Sequence, residues 1–243
     1  MNKIYRIFPE PGDLAETFAA DLIDMIKNAE KNNSVFTIAL SGGNTPKLLF
    51  SVITEKYIRS VDWSIVHFFW GDERCVPPYD PESNYGVAWQ TFLSKIEIPG
   101  KNIHRIRGEN DPPAEALRYS DEISAFNRSE NNFPVFDLII LGMGDDGHTA
   151  SIFPGGMGLL KSGKICEVAA HPVTGQKRVT ITGKVINNSD LVIFLVTGDN
   201  KAHIIDSIFK KRADSVTFPA SFINPADGKE IWYLDQQAGK FLE

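Results

Sequence analysis

The sequence has few cysteines, no long apolar segment and no excess of basic residues, and each shortage excludes a class of protein. Its two cysteines, Cys75 and Cys166, are too few and too far apart for a zinc-binding pattern or a disulfide framework. No apolar run approaches the ~20 residues that a membrane-spanning helix needs, and the first residues lack the apolar core of a signal peptide. The net charge of −6 argues against a nucleic-acid or anionic-membrane surface. We therefore expect a cytoplasmic protein with two reduced thiols and neither a nucleic-acid nor a membrane partner.

What is present is the alternation of strand and helix patterns that is typical of an α/β protein. Short apolar or alternating runs predict strands at residues 3–8, 35–40, 66–70, 103–106, 138–141, 178–182, 191–196 and 231–234. Helical patterns separate many of them, which favours a mainly parallel, Rossmann-like sheet with helices on both faces. The chain has 243 residues and contains neither an internal repeat nor a low-complexity segment, so we expect one domain spanning 1–243.

Three of the predicted strands end in polar loops, and in a parallel sheet these ends meet at one edge, where ligands bind. The first loop follows residues 35–40 and consists of Ser41, Gly42, Gly43, Asn44 and Thr45. Thr45 is the expected N-cap of the next helix and Pro46 its first residue. A strand, a Gly-rich loop and a helix start present backbone N–H groups to an anion, so we interpret this loop as a phosphate site.

The second loop, which follows residues 138–141, carries a histidine and two acids between glycines. It contains Gly142, Gly144, Asp145, Asp146, Gly147 and His148. Its glycines match a dinucleotide-binding fingerprint, but Pro154 and the glycines that follow leave no room for the required helix, and the two acids would repel phosphates. A metal site is also disfavoured because no second histidine or cysteine is nearby in sequence. His148 is instead suited to act as a general base, since the pKa of histidine is ordinarily near neutrality.

The third loop, which follows residues 66–70, contains Asp72, Glu73 and Arg74. It is either part of the same site or a local salt bridge. Lys201 is expected at the start of a helix over residues 201–209, where the helix dipole disfavours a cation, and a bound anion would relieve that conflict. Arg178 is expected either in the same pocket or on the surface.

Taken together, these segments resemble the 6-phosphogluconolactonase family. The resemblance covers nearly the whole chain and rests mainly on residues 41–46, 71–84 and 137–155, with further matches around Arg178 and Lys201. It implies the fold that this family shares with glucosamine-6-phosphate isomerase/deaminase, the main alternative. The deaminase motif continues after its histidine to a glutamate used for ring opening. This chain has Thr149 to Pro154 at that place, without a glutamate, which favours the lactonase.

The resemblance implies hydrolysis of 6-phospho-D-glucono-1,5-lactone to 6-phospho-D-gluconate, without a metal or a cofactor. His148 would take a proton from the attacking water. Either Asp146 or Asp72 would orient its ring, although direct contact is awkward for Asp146 because it lies two residues away in a tight loop. Arg74 or backbone N–H groups of the glycine loop would stabilise the oxyanion.

The substrate's phosphate would lie against residues 41–45, where Lys201 and Arg178 would neutralise it and Asn84 would contribute a further polar contact. The expected partner is thus a small sugar-phosphate lactone, bound by a monomer or a small homo-oligomer. A non-catalytic sugar-phosphate-binding regulator is a third interpretation. Such domains are normally attached to a DNA-binding module, which this chain has no room for.

Overall fold

The strands and helices of the computed structural model, which describes residues 3–128 and 133–242, follow the predicted alternation. The strands are β1 Ile4–Phe8, β2 Phe36–Leu40, β3 Val66–Trp70, β4 Asp72–Arg74, β5 Leu138–Leu141, β6 Cys166–Ala170, β7 Lys177–Ile181, β8 Leu191–Val196 and β9 Lys229–Asp235. The α-helices are α1 Pro11–Lys31, α2 Asn44–Lys56, α3 Asn84–Thr91, α4 Pro112–Ser124, α5 Gly183–Ile186, α6 Ala202–Phe209 and α7 Gln236–Gly239. Within these ranges no helix is both long and apolar enough to cross a bilayer.

A parallel sheet forms the centre of the molecule. In the described residues, six strands pair in the order β1-β9-β8-β5-β2-β3, and all neighbouring pairs are parallel. Consecutive residues of a strand point to opposite faces. All residues of β2 and β5 are buried, so both faces of the sheet are covered. The predicted α/β fold is confirmed, with its first strand at the sheet edge.

A second, antiparallel sheet was not predicted. It has the order β4-β7-β6, and β4 occupies residues that the sequence indicated as a loop. The strand predicted at residues 103–106 is wrong, because Ile103 makes only an isolated bridge to Phe68. Strands as short as β4 exist because distant segments pair with them, which a local sequence pattern does not reveal.

Two helix starts differ from the prediction. Gly43 is the N-cap of α2, with a φ of 103°, so the expectation that Thr45 caps the helix is wrong and Pro46 is its third residue. Glycine adopts this backbone conformation without steric cost, and the helix therefore begins earlier. Lys201 ends a short 3₁₀ turn, Asp199–Lys201, and is the N-cap of α6 rather than its first residue. Ser83 is the N-cap of α3, where its hydroxyl oxygen accepts a hydrogen bond from Gly86 N at 2.9 Å.

Both cysteines are free thiols. Burial raises the pKa of Cys75 to about 11 and that of Cys166 to about 12. Since the thiolate is the reactive form, neither side chain is a good nucleophile near neutral pH.

Glu73 ties β4 to the start of α3. Its buried carboxyl group accepts hydrogen bonds of 2.8–3.0 Å from the backbone N–H groups of Arg74, Asn84 and Tyr85 and from the Ser83 hydroxyl. Burial raises the pKa of Glu73 to about 7, although these donors act in the opposite direction. The carboxyl group therefore titrates near neutral pH. Its hydrogen bonds hold the backbone of Arg74 and Asn84 in place.

The Glu73→Gln variant should change the pH dependence of stability. Folding raises the pKa of this carboxyl group from 4.5 to about 7, so its contribution to stability is full below the lower value and is lost as the pH rises through the higher one. The destabilisation caused by Glu73→Gln should therefore shrink by about 2 kcal/mol between about pH 5 and pH 8. Urea unfolding followed by circular dichroism measures this, with the exposed Glu55→Gln as the control. A difference that does not vary with pH would contradict the assignment.

Candidate active site

The three predicted loops converge at one cleft, at the carboxyl ends of β2, β3 and β5. The cleft has a volume of about 180 Å³ and is lined by Ser41, Gly42, Gly43, Asp72, Arg74, Asn84, Gly142, Met143, Gly144, His148, Ala150 and Arg178. A larger groove, of about 690 Å³, lies beside β1 but contains none of the predicted site residues. Asn44, Thr45, Asp146 and Lys201 do not line the cleft. Asn44 follows Gly43 in the chain, Asp146 contacts His148, and Lys201 is paired with Asp145, the residue after Gly144.

The Gly-rich loop lies directly against Asn84. A Cβ atom on Gly42 would lie 1.8 Å from Asn84 Oδ1, so only glycine permits this approach. Asn84 Nδ2 donates to the carbonyl oxygen of Asp72 at 2.9 Å, which joins the loop to β4. The first turn of α2 contains no acidic residue and no side-chain hydrogen bond to its cap, so backbone N–H groups remain available to an anion at this end.

Asp72 is buried within a set of polar contacts. Its Oδ2 atom accepts a hydrogen bond from the Ser151 hydroxyl at 2.5 Å. Arg178 Nη1 lies 3.9 Å from the same oxygen, and Asn84 Nδ2 lies 3.4 Å from Oδ1. Asp72 is thus fixed from several sides and makes no hydrogen bond to His148 in the described residues.

Two arginines stand side by side on the second sheet. Arg74 and Arg178 are directly paired across β4 and β7. Burial lowers the pKa of Arg178, and the positive charge of Arg74 acts in the same direction. The Nε–H groups of both arginines are buried and have no hydrogen-bond partner in the part of the chain that the structure describes. Buried cationic donors without partners suit a site for negative charge.

His148 is bound by Asp146. The carboxylate oxygen Oδ1 accepts from the backbone N–H of His148 at 3.0 Å and lies 2.6 Å from Nδ1 of its ring. Nδ1 therefore carries the proton in this arrangement, which leaves Nε2 as an acceptor. Burial acts to raise the pKa of Asp146, but the hydrogen bonds and charge of His148 outweigh it and hold that pKa below its usual value.

This contact settles which carboxylate is next to His148. The expectation that a spacing of two residues makes direct contact awkward is wrong, because Gly147 has a φ of 77° and turns the chain back on itself. The ring of His148 also lies against Gly144, where a Cβ atom would come within 2.1 Å of it. Glycine is required at both positions for the loop to hold the ring.

Lys201 reaches the site from the loop between β8 and α6. Its ammonium group is paired with the carboxylate of Asp145. Thr197 Oγ1, in the same loop, lies 2.9 Å from Thr45 Oγ1, so this loop touches the first turn of α2. Burial lowers the pKa of Lys201. Lys201 therefore lies beside the histidine loop, in a segment that also touches the first turn of α2.

Two residues that complete the site were not assigned a role from the sequence. Ser151 is fully buried and binds Asp72, as described above. The ring of Phe153 lies 4.7 Å from that of His148 and 5.6 Å from the guanidinium carbon of Arg178. Both residues fall within the histidine stretch, but a serine and a phenylalanine there look like ordinary core residues, and no signal in the sequence distinguishes them.

The sequence is similar to that of a known enzyme family and of several curated proteins. Residues 9–232 match the family model described as glucosamine-6-phosphate isomerases/6-phosphogluconolactonase. A 6-phosphogluconolactonase of Haemophilus influenzae is 45% identical over 84% of this chain and 87% of its own. Another, of Aggregatibacter actinomycetemcomitans, is 44% identical over 98% of this chain and 99% of its own.

Solved structures show the same relationship. The crystal structure of devB protein is 41% identical and superimposes with a TM-score of 0.93 over 99% of both chains. A monomeric glucosamine-6-phosphate deaminase, 19% identical, covers 98% of this chain and 99% of its own with a TM-score of 0.81, which shows the shared fold alone. The chain therefore belongs to the glucosamine-6-phosphate isomerase/6-phosphogluconolactonase family, in its 6-phosphogluconolactonase branch.

Proposed function

We propose that the protein hydrolyses 6-phospho-D-glucono-1,5-lactone to 6-phospho-D-gluconate, the hydrolytic step of the oxidative pentose phosphate pathway. The observation that carries the proposal is the composition of one cleft. It holds His148, whose Nδ1 atom is bound to Asp146, beside two arginines with unused donors. Hydrolysis of an ester by water is accelerated by a base that takes a proton from the water and by cations that stabilise the negative charge on the carbonyl oxygen.

In this mechanism His148 acts as the general base. Nε2 takes a proton from a water molecule as the water oxygen attacks the lactone carbonyl carbon, and Asp146 stabilises the imidazolium that forms. The proton then passes to the ring oxygen as the C–O bond of the ester breaks. Such a base typically contributes ~10²–10⁴-fold to the rate, or about 3–5 kcal/mol.

The guanidinium groups support stabilisation of the oxyanion. The Nε–H groups of Arg74 and Arg178 are available as donors to the carbonyl oxygen when it becomes negative. Backbone N–H groups of the glycine loop are the other candidates for this role, apart from those of Gly144 and Gly147, which donate to carbonyl oxygens of the loop itself. Asp72, fixed by Ser151 and Arg178, is suited to accept a hydrogen bond from a sugar hydroxyl. Because Arg178 lies beside Asp72, we expect it to contact the lactone end of the substrate rather than the phosphate.

The phosphate belongs at the other side of the cleft. Ser41, Gly42 and Gly43 supply small side chains and backbone N–H groups, and Asn44 and Thr45 begin α2, whose positive end favours an anion. Lys201 supplies a cation from the segment whose Thr197 touches the first turn of α2, and Asn84 supplies a polar side chain between the two ends. Binding of the phosphate would place the lactone carbon next to His148.

We also propose a compartment, a domain organisation and an oligomeric state for the chain. We place the chain in the cytoplasm as one domain, 1–243, acting as a monomer or small homo-oligomer. Two free thiols and a phosphorylated, hence membrane-impermeant, substrate support the compartment. The net charge of −6 supports a small-molecule rather than a nucleic-acid partner.

The direct test is an assay of the purified chain on freshly prepared 6-phosphogluconolactone, with glucosamine 6-phosphate in parallel. We expect hydrolysis faster than the spontaneous reaction, recorded as acid release in a pH-stat. We expect no ammonia from glucosamine 6-phosphate, because residues 149–154, which follow His148, contain no glutamate for ring opening, and Phe153 packs against the His148 ring. Hydrolysis at the background rate, or release of ammonia, would reject the proposal.

The His148→Ala variant should lose the base and leave the fold intact. We expect kcat/KM to fall by roughly 10²-fold or more, with an unchanged circular dichroism spectrum. His203→Ala is the matched control, because His203 lies on the exposed side of α6 against Phe241. A folded His148→Ala protein with nearly full activity would remove His148 from this role.

The Asp146→Asn variant should reduce activity through His148. Loss of the carboxylate charge weakens stabilisation of the imidazolium, and we expect kcat to fall by about 10- to 100-fold. Because Asp146 acts through the ring, the double variant Asp146→Asn/His148→Ala should be no slower than His148→Ala alone. Losses that multiply in the double variant would show that Asp146 acts independently of His148.

A further inference from the structure

The cation assigned to the phosphate already has an anionic partner in the protein. Lys201 is paired with Asp145, and Asn200 Nδ2 holds the same Asp145 oxygen at 2.9 Å. The two side chains differ in exposure: that of Lys201 is 13% exposed and that of Asp145 is 70% exposed. The ammonium is therefore held in place, whereas the carboxylate can turn into solvent at small cost.

A phosphate and Asp145 cannot both be the main partner of Lys201. A phosphate dianion that approaches Lys201 must displace the Asp145 carboxylate or bind beside it, and either arrangement weakens its binding. Displacement breaks an ion pair, and binding side by side places two negative groups together. The neighbouring cation, Lys240, does not provide a substitute partner because it is paired with Asp199.

The proposed reaction makes such competition useful. Hydrolysis converts a neutral ester into a carboxylate and leaves the phosphate unchanged, so the product carries one more negative charge than the substrate. Arg74 and Arg178 line the cleft on the side proposed for the new carboxylate, and Lys201, paired with Asp145, lies outside this lining on the side proposed for the phosphate. Electrostatics alone would therefore hold the product more tightly than the substrate.

We propose that Asp145 is an affinity-setting residue that competes with the phosphate for Lys201, weakens the binding of phosphorylated ligands and favours release of the product. This rests on the proposed function for the identity of the ligand. It makes Asp145 neither a general base nor a phosphate ligand, although it adjoins Asp146. The alternative is that Asp145 positions Lys201 for the phosphate, and this predicts an effect of the opposite sign.

The test compares the affinity of inorganic phosphate for the wild-type chain and for Asp145→Asn, by isothermal titration calorimetry. The expected result is a Kd lower by about three- to tenfold, because the Asp145–Lys201 ion pair and the repulsion between Asp145 and phosphate are both removed. The gain should shrink as the salt concentration rises, since the groups involved are partly exposed. Asp199→Asn is the matched control: it removes the same charge from the segment that carries Lys201, but the partner of Asp199 is Lys240, and the Kd of this variant should stay within about twofold of the wild type.

A double-variant cycle assigns the effect to Lys201. In the Lys201→Ala background, Asp145→Asn should give no gain in phosphate affinity, because the group for which Asp145 competes is absent. With the lactone as substrate, Asp145→Asn should lower KM and the inhibition constant of 6-phosphogluconate by similar factors, which is the behaviour of uniform binding.

Several results would overturn the proposal. They are an unchanged or weaker phosphate affinity in Asp145→Asn, an equal gain in Asp199→Asn, a gain that persists without Lys201, or no phosphate binding by either protein. The phosphate measurements need no turnover. A chain that fails to hydrolyse the lactone would therefore reject the proposed function and leave the competition between Asp145 and phosphate to be judged on its own data.

Discussion

The parallel pairing of β2 with β3 and β5 is the constraint on which the site depends. Thr37 and Asp137 lock the start of this arrangement, since the backbone N–H and hydroxyl of Thr37 donate to Asp137 Oδ2 at 2.7 and 2.6 Å. At the other end, Gly71 N donates to Leu40 O at 2.8 Å, which continues the ladder past the last strand residues. The three loops leave the sheet from one edge because the register is fixed at both ends.

The second sheet closes the site from the side. Pairing of β4 with β7 places Arg74 opposite Arg178. Glu73 lies between Asp72 and Arg74, which line the cleft, and its carboxyl group binds the start of α3. The same short strand thus presents Asp72 and Arg74 to the cleft and holds Asn84 through its buried neighbour. Strand β4 therefore serves two purposes: alternate side chains face the ligand, and the one between them anchors the structure.

Charge is arranged so that each titratable group in the cleft has a distinct environment. Asp146 is held ionised by His148, and Asp72 receives a hydroxyl hydrogen bond from Ser151. The arginines retain unused donors, whereas Lys201 is already paired. Acidic and basic groups thus lie close together, but the arginines keep donors that are not used by the acids. Such donors are what a site for an anionic substrate and a developing oxyanion requires.

The sequence alone determined the six strands of the parallel sheet, the loops at the ends of β2, β3 and β5 and the histidine motif, because buried parallel strands are apolar throughout and glycine and polar residues mark where they stop. Through the family resemblance it also pointed to Asn84 and Arg178, which line the cleft, and to Asn44, Thr45 and Lys201, which do not. It did not determine which acid contacts His148, since that depends on the positive φ of Gly147. Only the tertiary structure decided that β4 pairs with β7 and that Lys201 meets Asp145, because these contacts join residues far apart in the chain and leave no periodic pattern in it.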